Sequence, residues 1–360
     1  MFLKKIKIKN REISNQKSPL VIAEISANHN NSLKDTISLI KLAAKSGVEA
    51  IKFQTFDLEE MTMISKRKEF WIESKHLNKR WNKRSLYSLY KKAQFPFEWH
   101  KKVFKTAKDY GLICFSSVFD QNSFEFLEKL NVPAYKIASL ESLHFSLIKK
   151  IASVNKPMII STGTLNIKEI DSLINFLKKI KFSKLILLHC VTDYPANPKS
   201  INLKMIKLLK KRYNCLVGFS DHTSGIGSAI ASVAFGTNVI EKHFKLSEKS
   251  ISLDKDFSLE PKLMKLLIEE SRIAWESIGS ENKILSKSEK EYSKYRRSIY
   301  ATKNIKIKDT FSNQNIKVIR PGKGLDPRYL SQLIGKKSKS KFSISEPISL
   351  KKLKLKLKKI

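Results

Sequence analysis

Eight short apolar runs, spaced through the first 280 residues and separated by amphipathic stretches, limit the possible folds of this chain more than any other feature. They fall at residues 20–25, 48–53, 112–116, 134–138, 158–161, 185–190, 216–219 and 238–243. The runs are rich in Val, Ile, Leu and Phe with little polar alternation, the pattern of strands buried on both faces of a parallel sheet. Between them, residues 33–45, 98–110, 167–180, 202–212 and 262–278 show helical periodicity. Eight strands alternating with helices over about 250 residues predict an α/β chain closed into a (β/α)8 TIM barrel rather than an open doubly wound sheet. No Gly-x-Gly-x-x-Gly follows the first run, which disfavours a dinucleotide site. The barrel, as the catalytic domain, is expected over residues 1–280. Residues 281–297 are polar and rich in Lys, Ser and Glu and read as a linker. Residues 298–360 carry short β-like pieces around turns such as Arg320-Pro321-Gly322-Lys323-Gly324, predicting a small β-rich C-terminal domain.

Charge is the conspicuous feature of the composition, and it misleads. Lys plus Arg number 70 against 33 Asp plus Glu, a formal net charge of +37. That balance permits a polyanion partner, but 60 of the basic residues are Lys and 10 are Arg. Specific nucleic-acid readers favour the planar Arg fork. The scattered Lys, with abundant Ile and Asn, reads as compositional drift, so neither a nucleic acid nor a membrane is expected as partner. Only residues 351–359 are densely basic, and their alternation with Leu reads as a sticky surface or as an edge strand blunted by lysine. Residues 1–10 lack the apolar core of a signal peptide. The cysteines, Cys114, Cys190 and Cys215, are odd in number and far apart, so a reducing, cytoplasmic setting is expected.

In a (β/α)8 barrel the chemistry sits at the C-terminal ends of the strands. Here those ends carry Glu24; Lys52 and Gln54; Ser116 and Ser117; Lys136, Ser139 and Glu141; Ser161; His189 and Thr192; Ser220 and His222; and His243. Lys52 and Lys136 with the hydroxyls of Ser117, Ser139 and Ser161 suit a small, multiply charged anion such as a phosphorylated carboxylate. His222 and His243, ending neighbouring strands, offer two imidazoles to one divalent metal with positions left open. The alternative for each is a strand cap bonded to backbone. Glu24 and Glu141 are acid/base candidates, or else salt-bridge partners of the lysines. The set reads as metal-assisted chemistry on an anionic substrate.

Several blocks, in order along nearly the whole chain, resemble the sialic acid synthase family. They are Ile22-Ala23-Glu24-Ile25-Ser26-Ala27-Asn28-His29-Asn30, Ile51-Lys52-Phe53-Gln54-Thr55, Tyr135-Lys136-Ile137-Ala138-Ser139, Ile160-Ser161-Thr162-Gly163, Ser220-Asp221-His222-Thr223 and Glu241-Lys242-His243-Phe244. The segment from about Ser298, with Arg320-Pro321-Gly322, looks like that family's antifreeze-like (SAF) domain. Within the family, Leu89-Tyr90-Lys91-Lys92-Ala93, Phe97-Glu98-Trp99-His100 and Gly324-Leu325-Asp326-Pro327-Arg328-Tyr329-Leu330 look most like the pseudaminic acid branch. The resemblance implies condensation of phosphoenolpyruvate with an N-acetylated amino-sugar aldehyde, the sugar of the neuraminic or legionaminic branch being the alternative. It implies that Lys52, Ser117, Lys136, Ser139, Ser161, Thr192 and Ser220 hold phosphoenolpyruvate and that Glu24 is the acid/base. It further implies that His222 and His243 ligate manganese (magnesium or cobalt in its place), with Asp254 acting through a water. Gln54, Glu141, Tyr194 and Arg320 would contact the sugar, Arg320 from the partner chain of a domain-swapped homodimer. Val118 stands where the family usually has Pro, and Ile251-Ser252-Leu253 where a Gly is usual. A different class, a non-enzymatic anion-binding protein on a decayed barrel, would show a degraded set of strand-end residues.

Overall fold

The computed structural model describes residues 1–73 and 78–358. They form two units, Met1–Gly279 and Ser280–Ile360. The first opens with an antiparallel hairpin of β1 (Lys5–Ile8) and β2 (Arg11–Ser14). Eight further strands follow: β3 (Leu20–Glu24), β4 (Ala50–Thr55), β5 (Ile113–Val118), β6 (Tyr135–Ile137), β7 (Met158–Ser161), β8 (Leu185–Cys190), β9 (Leu216–Asp221) and β10 (Val239–His243). Each pairs in parallel with its neighbour, and β10 closes on β3 to complete the barrel. Helices occupy the connections. Leu33–Lys45 starts at Ser32, whose side chain accepts from the Asp35 N–H, and Ile167–Lys179 starts at a capping box of Asn166 and Glu169. Both devices satisfy first-turn amides that have no helical partner. The helical stretch expected at 98–110 resolves into a 3-10 turn, Phe97–Trp99, and a helix, His100–Asp109.

Side chains alternate across each strand, and the closed barrel turns that alternation into layers. Leu20, Ile22, Ala50, Ile113, Phe115, Ile159, Ile186, Leu188, Leu216 and Val239 fill the barrel interior. Ile6, Ile8 and Ile13 of the hairpin join the same cluster and plug the N-terminal end. Outward positions such as Ile51, Phe53, Leu187 and Val217 pack under the helices in two larger clusters. The alternation corrects two of the strand-end residues. Ser116 and His189 face the helices: Ser116 Oγ bonds Thr55 Oγ1 at 2.7 Å, and His189 Nε2 bonds the Ile201 carbonyl at 2.6 Å while its ring stacks on Phe219. These are the strand-capping roles that compete with function.

In the second unit, β11 (Ser298–Ala301) and β12 (Ile316–Ile319) form an antiparallel ladder over an apolar cluster that includes Ile299, Phe311, Leu333 and Phe342. The stretch expected as a linker holds a helix, Lys287–Ser293, capped by Ser286 and Glu289. One reading needs correction here. The basic tail is not an edge strand: Leu350–Leu353 is a helical turn that buries Leu353, and Leu355 and Leu357 pack on the same cluster. Position 359 lies outside the described residues. Among the described residues no helix is long and apolar enough to cross a membrane.

Ile8 is wholly buried in the barrel plug, and truncating such a side chain costs about 2–5 kcal/mol. Ile8→Ala should therefore lower the urea midpoint of barrel unfolding while leaving ligand binding at the opposite end unchanged, as followed by circular dichroism.

Candidate active site

Above the apolar interior layer, the next inward positions are almost all polar: Glu24, Lys52, Gln54, Ser117, Lys136, Ser161, Ser220, His222, Glu241 and His243. The middle of this layer is Glu241. Ser220 Oγ donates to its Oε1 at 2.8 Å, Lys136 Nζ stands 3.7 Å from Oε1 and Lys52 Nζ 3.6 Å from Oε2. Lys52 also donates to Ser117 Oγ at 2.8 Å and forms an ion pair with Glu24, its neighbour in register. The Ser26 N–H holds the other Glu24 oxygen at 2.7 Å. All four charged side chains are buried. Burial raises the Glu241 carboxyl, but Lys136, Lys52, Ser220 and His222 outweigh it and pull the group down to about 2. Burial pushes the Lys52 ammonium down, with Lys136 adding and Glu241 opposing. Glu241 was not singled out from the sequence. It lay inside a recognised block, and stepping back two residues from His243 on an alternating strand finds it.

Beside the lysines lies a cradle of hydroxyls. The Gly163 N–H donates to Ser139 Oγ at 2.9 Å. The oxygens of Ser161 and Thr192 are buried without a hydrogen-bond partner. A Cβ on Gly163 would stand 2.3 Å from Thr192 Oγ1 and 2.8 Å from Ser139 Oγ, so only glycine lets the backbone come this close. Unsatisfied hydroxyls beside two ammonium groups are the donor set of a phosphate or carboxylate site. Val118 extends β5 in register with Thr55 and packs in the helix-side core, so the strand carrying Ser117 is regular without the proline.

His222 and His243 face each other with ring centroids 5.5 Å apart. The Val191 carbonyl lies 2.8 Å from His222 Nδ1, which puts the proton there and leaves the Nε2 lone pair inward. Cys190 Sγ is 3.8 Å from the same nitrogen. Burial lowers His222, and Cys190, the Val191 carbonyl and Glu241 more than offset it. Burial, His222 and Lys52 hold His243 well below the usual range, and its Nδ1 is buried without a partner. Among the described residues no group of three or more His, Cys, Asp or Glu side chains is arranged around a metal position. Two imidazoles with nitrogen to spare nevertheless fit two positions in the coordination shell of a divalent ion, with the others left to water and substrate.

Tyr194 covers this pair, its ring 4.2 Å from His222 and 6.4 Å from His243. Asp254 follows on the loop after β10. Ser26 Oγ and the Ala27 N–H donate to its carboxylate, which burial raises to about 6. The departure at 251–253 is anchored: Leu253 is buried, and Ser252 Oγ donates to Asn28. Glu141, on the 3-10 turn Ser139–Glu141, is pushed up to about 7 by burial against the pull of Lys136. Gln54 is half-buried at the end of β4. Arg320 belongs to the second unit, where it is exposed and precedes a cis Pro321.

Comparison with known proteins accords with this geometry. Residues 39–283 match the NeuB family and residues 296–354 match the SAF domain. A pseudaminic acid synthase of Campylobacter jejuni (serotype O:23/36, strain 81-176) is 39% identical over 89% of this chain and 93% of its own length. An N,N'-diacetyllegionaminic acid synthase of C. jejuni (serotype O:2) is 36% identical over 89% and 96%. The crystal structure of an N-acetylneuraminic acid synthetase from Leptospira borgpetersenii, in complex with citrate, superposes with a TM-score of 0.70 at 30% identity, covering 80% of this chain and 94% of that one. The chain belongs to the NeuB family, the sialic acid synthase enzymes, with an SAF domain C-terminal to its barrel.

Proposed function

We propose that this enzyme condenses phosphoenolpyruvate with 2,4-diacetamido-2,4,6-trideoxy-altrose, giving pseudaminic acid and phosphate. The observation that supports it is the buried layer in which two lysines and unpartnered hydroxyls stand beside two imidazoles, in a chain 39% identical to a pseudaminic acid synthase. The legionaminic acid synthase at 36% keeps the sister sugar as a second reading of the same chemistry. The chain is expected to work in the cytoplasm.

Lys52 and Lys136 pair with charges of phosphoenolpyruvate that persist through the reaction, so they bind and orient it rather than drive the step. Ser117, Ser139, Ser161, Thr192 and Ser220 supply hydroxyls to its phosphate and carboxylate oxygens. The methylene carbon attacks the sugar aldehyde, forming a C–C bond and leaving a cationic carbon at the former enol position. Water adds there, and the proton it loses balances the one taken up by the aldehyde oxygen. Glu24, fixed by the Ser26 N–H and by Lys52, moves that proton. The C–O bond to phosphate then breaks as the new hydroxyl becomes the ketone, its proton leaving with phosphate. A divalent ion, manganese or in its place magnesium or cobalt, supplies Lewis-acid polarisation of the aldehyde when bound. His222 and His243 would hold it, with Asp254 acting through a water. Gln54, Glu141 and Tyr194 contact the sugar. Arg320 of the partner subunit reaches its acyl group in a domain-swapped homodimer.

Phosphate release from phosphoenolpyruvate is the direct test. Release with the altrose-type sugar, absent with N-acetylmannosamine and abolished by chelator and by His222→Ala, is the expected outcome. Preference for the legionaminic precursor would instead favour the second reading. Gly163→Ala drives a methyl group into Ser139 and Thr192, and should raise KM for phosphoenolpyruvate at least about tenfold with the fold intact by circular dichroism. Glu141 titrates at about 7, so the carboxylate that accepts sugar hydroxyls is present above that pH and lost below it. The sugar KM should rise as pH falls from about 8 to about 6, and Glu141→Gln should remove the dependence. Co-expressed Glu24→Gln and Arg320→Ala chains should recover about a quarter of wild-type activity, since half the dimers then carry one intact site of two. No recovery would count against the shared site.

A further inference from the structure

Asp221 and Lys242 precede His222 and His243 by one residue and are partners in register across β9 and β10. Alternation turns them away from the active site, toward the helix-side core to which Ile240, Val233, Ala229 and Phe244 belong. Both side chains are wholly buried, with Lys242 Nζ 2.9 Å from Asp221 Oδ2. Lys242 also donates to the Thr223 carbonyl, and the Thr223 N–H donates to Asp221 Oδ1 at 2.9 Å. The pair thus grips both sides of His222 (Asp221 before it, Thr223 after it) and ties them to the strand that ends in His243. Desolvating two ions is expensive, and apolar side chains of like volume would fill the space at no such cost, so stability alone does not account for the pair.

We propose that the Asp221–Lys242 ion pair is a positioning device that fixes the separation and orientation of the His222 and His243 imidazoles, and through them the affinity of the divalent-metal site. This rests on the reading of the two histidines as metal ligands. The pair touches no substrate. It acts through the backbone between its own residues and the rings, as outer-shell groups do when they orient metal ligands. A purely structural pair would change the melting temperature without changing metal binding.

The test uses the full-length protein and Mn2+ alone, titrated calorimetrically, with the Co2+ absorption spectrum as a readout of coordination geometry. The variants are the neutralised pair Asp221→Asn/Lys242→Met and the charge-conserving Lys242→Arg, which answers the question if the double variant does not fold. His222→Ala is the control for the site itself. The expected result is a folded double variant whose Mn2+ affinity falls about 10–100-fold and whose Co2+ bands shift, with Lys242→Arg intermediate. A folded variant with wild-type affinity and spectrum overturns the proposal. If the wild type takes up no Mn2+, or His222→Ala takes it up unchanged, the metal reading itself falls. The 15N resonances of the two imidazoles in metal-free protein then decide the positioning role. Displacement in the variants supports it, and unchanged resonances overturn it.

Discussion

Two ammonium groups in the interior of a closed barrel can stay charged only if acids accompany them, and the rest of the site is arranged around that requirement. Glu241 stands between Lys52 and Lys136, and Glu24 pairs with Lys52 from the next strand. Strand register fixes these positions. Glu24 sits opposite Lys52 across β3 and β4, and Ser220 sits opposite Glu241 across β9 and β10, so the counter-charges arrive with the fold. A slip of one residue on β3, β4 or β6 would turn Glu24, Lys52 or Lys136 into the helix layer and bring an apolar side chain inward.

This dependence explains why the barrel was readable from the sequence and its two ends were less so. Residues 158–161 and 185–190 are observed as the strands expected there, and 33–45 as a helix, because each carries a strong apolar pattern with clear limits. The hairpin β1–β2 was not read as structure. Its lysines alternate with isoleucines, and its turn uses Lys9 at a φ of 50° where a glycine would have marked it. The helices Gln121–Lys129 and Phe145–Ala152 bury few positions each, so their periodicity runs too short to stand out. The basic tail misled because Leu355 and Leu357 pack on the second unit from a segment with no strand partner.

The site shows the same division. Lys52, Lys136, His222 and His243 were legible as polar residues at the ends of apolar runs. Ser116 and His189 have that signature too, yet face outward, because position along the sequence does not distinguish odd from even until one inward residue of the strand is known. Glu241 is the converse case. Flanked by Lys242 it reads as an ordinary charged pair on a solvated surface, although the two side chains point to opposite faces of the same strand.

The net charge of +37 contributes little to this chemistry. The inward layer holds two lysines and two glutamates, with His243 kept neutral by burial, so it offers an incoming anion no large excess of positive charge. Its affinity for an anion must come from unused donors. Lys136 approaches Glu241 only at 3.7 Å, longer than a hydrogen bond, and so keeps N–H groups for a ligand. Ser161 and Thr192 keep hydroxyls without partners. Buried above the apolar layer of Leu188, Ile159 and Phe115, such donors act through a lower effective dielectric than they would in water. An anion that completes them gains more than the same anion paired with a surface lysine, which water already solvates. On the proposed function, selection of a phosphorylated carboxylate over the bulk of cellular anions is a matter of how many spare donors it can satisfy at once, and the barrel sets that number by which side chains its register turns inward.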